Sequence, residues 1–367
     1  MTTFLMGNTS ATSEALKRRQ QQSFLFRIPS VTVLADYRRV PLLDGPTPIQ
    51  RLSRLETAFA GKLRGSRLWA KRDDFMSLGG GGNKLRKLEY LIGQALAEGC
   101  DTFVATGGLQ SNFARLAAAA CAKIGLDCDL VLSQMVPNRS TEYQNNGNVL
   151  LDRLLGARLH VLSNPQNSTN YVEALCEKLI ADGKKPLVAT LGGSTSVGCL
   201  GYVSCAFEIA EQEREMGREF SQIVIPNGSG GTHAGLVAGY TLAGRDPKTI
   251  RAYSVLAQTE LAIEGTKSKA NEVLGMLNSS PLSSEDVLID GTQLGDGYGL
   301  PTSSMKQAIK LLARAEGIFV DPVYGGKALA GLVEDLDDGE VPENSDILFL
   351  MTGGGPGLFA YADALAL

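Results

Sequence analysis

From about residue 101 onward, short β-branched and apolar runs alternate with longer stretches of helical period, separated by glycine-rich joints. This rhythm predicts an α/β protein built on an open, mostly parallel sheet. Residues 101–106 read as a strand leading through Gly107 and Gly108 into a helix over 112–124, whose alanine face suits close packing. Further strands are expected at 128–133, 158–162 and 186–190, and a second series at 222–226, 250–255, 318–320 and 346–351. No internal repeat points to a solenoid instead.

In such sheets ligands bind beyond the carboxyl ends of the strands, where helices begin and backbone N–H groups are free. Three strand exits stand out: Thr106 to Asn112, Pro226 to His233, and Met351 to Gly355. The second packs Gly228, Ser229, Gly230, Gly231 and Thr232 together, small residues able to wrap amides and hydroxyls around a phosphate. It lacks the Gly-Lys-Ser/Thr of a Walker loop, and His233 stands where a dinucleotide fingerprint needs its last glycine. ATP and NAD are therefore disfavoured. Ser111 and Asn112 sit at a predicted helix start, where simple capping accounts for them equally well. Upstream, Gly79 to Gly82 and Asn83 precede Lys84, a lysine that could face a ligand and form an imine with a carbonyl cofactor. Taken alone, Lys84, Arg86 and Lys87 read more readily as a basic helix start facing water.

Composition narrows the class. The 367 residues suffice for one large or two ordinary domains, with 44% hydrophobic and 20% charged residues. A net charge of -4 gives no reason to expect nucleic acid as a partner. Six cysteines without a CxxC pair, and only two histidines, support neither a metal site nor a disulfide framework, and suit a cytosol-like compartment. No apolar run reaches the roughly 18 residues of a membrane span. Residues 1–30 read as an N-terminal extension without a secretory h-region, and organellar import stays open.

Together these segments resemble the family of 1-aminocyclopropane-1-carboxylate (ACC) deaminase and D-cysteine desulfhydrase, among the tryptophan synthase β-like, fold type II enzymes of pyridoxal 5'-phosphate (PLP). The similarity runs from about Pro46 to Tyr361. It is carried by Lys71-Arg72-Asp73-Asp74, Gly81 to Glu89, Gln110-Ser111-Asn112, Gly228 to Gly235, Gly297 to Pro301, Asp321 to Tyr324 and Thr352-Gly353-Gly354. The resemblance implies PLP as cofactor, held by Lys84 as a Schiff base. Asn83 and Asn112 would join the cofactor site, Asn112 at the ring hydroxyl. Gly228, Ser229, Gly230, Gly231 and Thr232 would hold the phosphate, and Thr352 would face the pyridine nitrogen. Ser111, Tyr298 and Tyr324 would act on a small amino-acid substrate. It further implies a homodimer, a large cofactor-binding domain from residues 31–86 and 201–367, and a small mobile domain from 87–200.

The expected reaction is a β-elimination giving a keto acid, ammonia and a sulfur leaving group. ACC deaminases of the family carry Glu after the Asp-Pro-Val-Tyr tyrosine and Leu before the late glycine pair, where this chain has Gly325 and Thr352. That difference favours the D-cysteine desulfhydrase side. The segment from Asn145 to Asp152 is also similar to L-cysteate sulfo-lyases. ACC deaminase, an amino-acid racemase and a catalytically silent PLP-binding protein are the other readings.

Overall fold

A computed structural model describes residues 33–365 of the chain. The expected N-terminal extension lies outside the described residues. Among the described residues ten strands form two sheets: β1 (Ile49–Arg51), β2 (Arg67–Lys71), β3 (Thr102–Gly108), β4 (Asp127–Ser133), β5 (Arg158–Leu162), β6 (Pro186–Ala189), β7 (Phe220–Asn227), β8 (Ile250–Ser254), β9 (Leu288–Asp290) and β10 (Asp346–Leu350). The six-stranded sheet runs β1-β2-β10-β7-β8-β9 and the four-stranded sheet β5-β4-β3-β6. Every pairing is parallel except that of β1 with β2. The α/β class and mostly parallel sheet follow the apolar rhythm of the sequence.

One expected strand fails. Residues 318–320 are irregular: Ile318 and Val320 fill the core beside the Gly325–Asp338 helix, Phe319 faces outward, and none enters a ladder. Three short or masked strands, β1, β2 and β9, were not expected from the pattern. β2 is the instructive one: Arg67 and Lys71 flank only three apolar residues, yet it lies inside the sheet. The wholly buried Lys71 ammonium is satisfied by Glu208, the Thr47 carbonyl at 2.6 Å and Gln212 at 2.7 Å.

Parallel ladders send the ends of β3, β7 and β10 in a common sense within each sheet, so their exits can serve one site. The Lys84–Ala97 helix spans the space between sheets and packs against both the Asn112–Ile124 and Ser196–Met216 helices. Its approach to the latter is close: a Cβ on Gly201 would lie 2.1 Å from the Arg86 carbonyl oxygen. An apolar core lies on each side of this helix, one including Leu88, Phe103 and Leu130, the other including Tyr202, Ile223 and Leu348.

Candidate functional site

The start of the Lys84 helix is set by the glycine run. Gly79 to Gly82 all have positive φ, and a Cβ on Gly81 would lie 2.3 Å from the Asp74 carbonyl oxygen. Gly82 bridges to Gly353, and the Asn83 N–H donates to the Thr352 carbonyl at 3.0 Å. The chain is thereby locked to the β10 exit one residue before Lys84. Arg86 and Lys87 are buried, so the reading of this segment as a water-facing basic start is overturned. Arg86 forks onto Asp73 at 2.8 Å and reaches Glu208 at 2.8 Å.

A cavity of about 1100 Å³, open mouth included, collects the predicted residues. Asn83, Lys84, Ser111, Asn112, Gly228, Ser229, Gly230, Thr232, Tyr298, Tyr324 and Thr352 all line it. Gly231 does not; it closes the wall behind, where a Cβ would lie 2.4 Å from Ser194 Oγ and 2.6 Å from Lys87 Nζ.

Burial drives the Lys84 amine well below the usual lysine range, and the neighbouring Lys87 charge pushes the same way. At the other end, the Gly231–Leu242 helix begins at Gly230 in the left-handed region. Thr232 Oγ1 accepts from Asn83 Nδ2 at 3.0 Å, and Ser229 Oγ meets Ser194 Oγ at 2.7 Å. Lys87 Nζ donates to Ser194 Oγ at 2.9 Å, and burial lowers its pKa to about 8. Hydroxyls and a helix N-terminus thus line one corner of the cavity, with the buried Lys87 ammonium behind it at Ser194.

Ser111 caps the Asn112–Ile124 helix, accepting from the Ala114 N–H at 3.2 Å, while also lining the cavity. The cap uses one lone pair, so the hydroxyl proton and the other lone pair stay available to the cavity. Tyr298 and Tyr324 share a hydroxyl–hydroxyl hydrogen bond of 2.6 Å, and burial raises both phenols. Tyr324 is held from below by Asp321, whose carboxylate accepts from the N–H groups of Val323 (2.9 Å), Tyr324 (2.7 Å) and Gly325 (2.8 Å). Burial raises the Asp321 carboxyl and outweighs these three donors.

Lys87, Ser194 and Asp321 were missed as site residues. Lys87 was masked by its basic neighbours, and Asp321 was noticed only as part of a motif. Ser194 had a readable signal: Gly192-Gly193 after β6 repeats the double glycine that follows the core of β3. Among the described residues there is no group of metal-ligating side chains, and no helix is long and apolar enough to cross a membrane.

Comparison with known proteins agrees with this arrangement. A family profile described as "Pyridoxal-phosphate dependent enzyme" matches residues 40–353. An ACC deaminase of Methylobacterium sp. (strain 4-46) is 39% identical over 90% of this chain and 99% of its own length. A D-cysteine desulfhydrase of Serratia proteamaculans (strain 568) is 38% identical over 89% of this chain and 97% of its own. A crystal structure of an ACC deaminase homologue superposes with a TM-score of 0.81 at 35% identity, covering 92% of this chain and 98% of that one.

Proposed function

The chain belongs to the pyridoxal-phosphate dependent enzymes, as a fold type II lyase of small amino acids, and on that premise we propose that it opens and deaminates ACC. What carries the reading is the single cavity in which a lysine of depressed proton affinity shares space with a hydrogen-bonded tyrosine pair. The comparisons rank ACC deaminases narrowly ahead of D-cysteine desulfhydrases, reversing the order expected from Gly325 and Thr352.

The cavity fits PLP by its donor set. Lys84 offers an amine for the aldehyde, and Ser229 and Thr232 in the lining, with the Lys87 ammonium behind them at Ser194, would serve a phosphate. Gly231, without a side chain, lets Ser194 and Lys87 approach that corner closely. Thr352 would serve the pyridine nitrogen and Asn112 the ring oxygen. When bound, PLP supplies an electron sink for the pair released at the substrate.

The remaining work falls to this chain's own groups. Lys84 Nζ, neutral more often than an ordinary lysine, accepts a proton. The Tyr298–Tyr324 pair can relay a proton across its 2.6 Å bond: the hydroxyl that donates to substrate is re-protonated by its partner, which regains a proton from solvent when the site opens. Ser111 and the free amides of its helix orient the substrate carboxylate. ACC has no proton on its α-carbon, so ring opening has to begin by attack on, or proton removal from, a ring methylene. Residues 87–200 would form a small domain that closes on the substrate and excludes water, two chains pairing as a homodimer.

D-Cysteine is the second reading, favoured by one observation. A side chain at position 325 would begin 3.1 Å from Asp321 Oδ2 and 3.2 Å from Val320 Cβ, so a carboxylate there would crowd an existing one. The test is to incubate the purified holoenzyme with ACC, D-cysteine, L-cysteate and D-serine. Keto acid and ammonia are expected from ACC, and sulfide or sulfite would show the sulfur substrates. Keto acid from D-cysteine but not ACC would replace the first reading by the second, and none from any substrate would remove the lyase.

A further inference from the structure

Asn112 can offer the cavity either end of its amide, and the structure decides which. Its Oδ1 accepts a hydrogen bond from Arg115 Nη2, one turn along the same helix. With that oxygen engaged, the amide presents its NH₂. Arg115 is wholly buried and tightly placed: Nη2 also donates to the Gly81 carbonyl at 2.6 Å, and Nη1 to Asn148 Oδ1 at 3.1 Å. One guanidinium therefore ties together the glycine run before Lys84, the cavity residue Asn112 and the Asn148–Leu154 helix.

One turn beyond Asn148, on the same helix face, lies Asp152. It is wholly buried, and neither carboxylate oxygen has a hydrogen-bond partner among the described residues, nor does Arg115 Nε. A buried carboxylate without donors is costly unless a nearby cation or a proton offsets it.

We propose that Arg115 is a positioning residue that makes Asn112 a dedicated hydrogen-bond donor to an ionised oxygen on the cofactor ring, and that the Asp152 carboxylate tunes how much of Arg115's charge is felt there. This rests on the reading that Asn112 meets the ring oxygen of PLP, and it adds two residues that touch neither cofactor nor substrate. Arg115 stabilises the ionised oxygen twice over, by fixing the donor and by its charge. An ionised Asp152 weakens the second effect, and a protonated Asp152 restores it.

The tuning lies in an accessible range. Burial raises the Asp152 pKa to about 7, against the lowering pull of Arg115 and of Arg153 on its own helix. The other titratable group facing it is Cys128 on β4, whose thiol is raised by Cys121 and by burial and stays neutral near pH 7. Burial lowers Arg115 to about 10, so it keeps its proton throughout that range.

The test reads the bound cofactor rather than turnover. Its visible band reports the ionised ring oxygen and its near-ultraviolet band the protonated one, so their ratio measures the effect. In Arg115→Gln holoenzyme the ratio should fall severalfold. In Asp152→Asn it should match the wild type below about pH 6 and exceed it above about pH 8, because only the wild type regains a negative charge. A merely structural role predicts that both substitutions loosen the site and lower the ratio together. That result, or an unchanged ratio in Arg115→Gln, or identical wild-type and Asp152→Asn ratios at every pH, overturns the proposal. Should Arg115→Gln not fold, the pH-dependent comparison of wild type with Asp152→Asn decides alone. Lys84→Ala separates the two levels: a lysine-linked band that survives there sinks the site reading itself. Loss of the band in Lys84→Ala, with ratios elsewhere unmoved, sinks only the roles of Arg115 and Asp152.

Discussion

Lys87 carries a charge into a place where its hydrogen-bond acceptors, the Gly192 carbonyl and the Ser194 hydroxyl, are neutral. Burial alone accounts for most of its lowered pKa, so without a phosphate the protonated residue destabilises the fold. Below about pH 8 both folded and unfolded chains hold the proton, and the full cost is present. Between about 8 and 10.5 the folded chain has released it while the unfolded chain has not, so stability rises with pH. The gain is about 3 kcal/mol by the usual 1.4 kcal/mol per pKa unit. Buried tyrosines and cysteines titrate nearby with the opposite sign, so the measurement is a difference: urea midpoints of cofactor-free wild type and Lys87→Met at pH 7 and pH 10. Lys87→Met should be the more stable at pH 7, and the gap should close at pH 10; a constant gap would count against a buried charge. Gly231→Ala tests the same corner sterically, and its Cβ, 2.6 Å from Lys87 Nζ, should weaken PLP binding at least about tenfold in a fluorescence titration. At this scale the sequence was partly legible. Small residues and hydroxyls at the β7 exit mark a cavity-lining corner through their types, whereas the placement of Lys87 and Arg86 depends on burial, which residue type hides.

The Lys84 helix holds its orientation through ions as well as apolar packing. Arg86 faces away from the cavity into Asp73 and Glu208, with Tyr202 donating to Asp73 at 2.6 Å and Thr47 at 2.7 Å. Burial alone would raise the Glu208 carboxyl, but Arg86 and Lys71 overcome it and hold it at about 2. Removing the arginine leaves Asp73 buried without a compensating cation, the costly way to break such a network. Arg86→Met should therefore lose about 3–5 kcal/mol in chemical denaturation. It should also loosen PLP more than an equally destabilising change far from this helix, since Lys84 lies two residues before Arg86. Equal loss of cofactor in both variants would reduce the network to a general stabiliser. The same ions explain why β2 escaped the apolar pattern: Lys71 reads as a surface residue until its partners from distant segments are known. For residues 318–320 the error ran the other way, because buried apolar residues imitate a strand whether or not a neighbour offers a ladder. The strands found from sequence were those bounded by glycine joints and long enough to show their run, such as β3, β4 and β7.

Across the whole molecule, the cavity joins two sheets that share no strand. Ser111 and Asn112 come from the exit of β3, while Gly228 to Thr232 and Thr352 follow β7 and β10. The four-stranded sheet draws only on residues 102–189, whereas the expected two-part organisation came from the family resemblance, and the order of apolar runs showed neither that division nor the contacts across the seam. Those contacts include apolar packing, with Val323, Ala360 and Tyr361 joining the core of Val136, Tyr143 and Val149, and polar ties that brace each side. Gln110 Nε2 donates to the carbonyls of Tyr143 (2.7 Å) and Asn146 (2.9 Å), tying the β3 exit to the turn at Gly147. A Cβ on that glycine would lie 2.8 Å from the Pro356 carbonyl oxygen, so the turn meets the segment after β10. Tyr361 donates to the Gly299 carbonyl at 2.9 Å, one residue after Tyr298. If residues 87–200 close on substrate, a ligand gripping both sides must stabilise this seam beyond what the cofactor does alone. Hydrogen exchange separates the two contributions. PLP should slow amides near Lys84 and in 228–233, where it is held. A non-reacting amino-acid analogue added to the holoenzyme should further slow 109–115, 141–148 and 297–300, leaving the edge strands β1 and β5 unchanged. Protection confined to the cofactor's own segments would mean that substrate binds to a preformed cavity, and the small-domain closure would be abandoned.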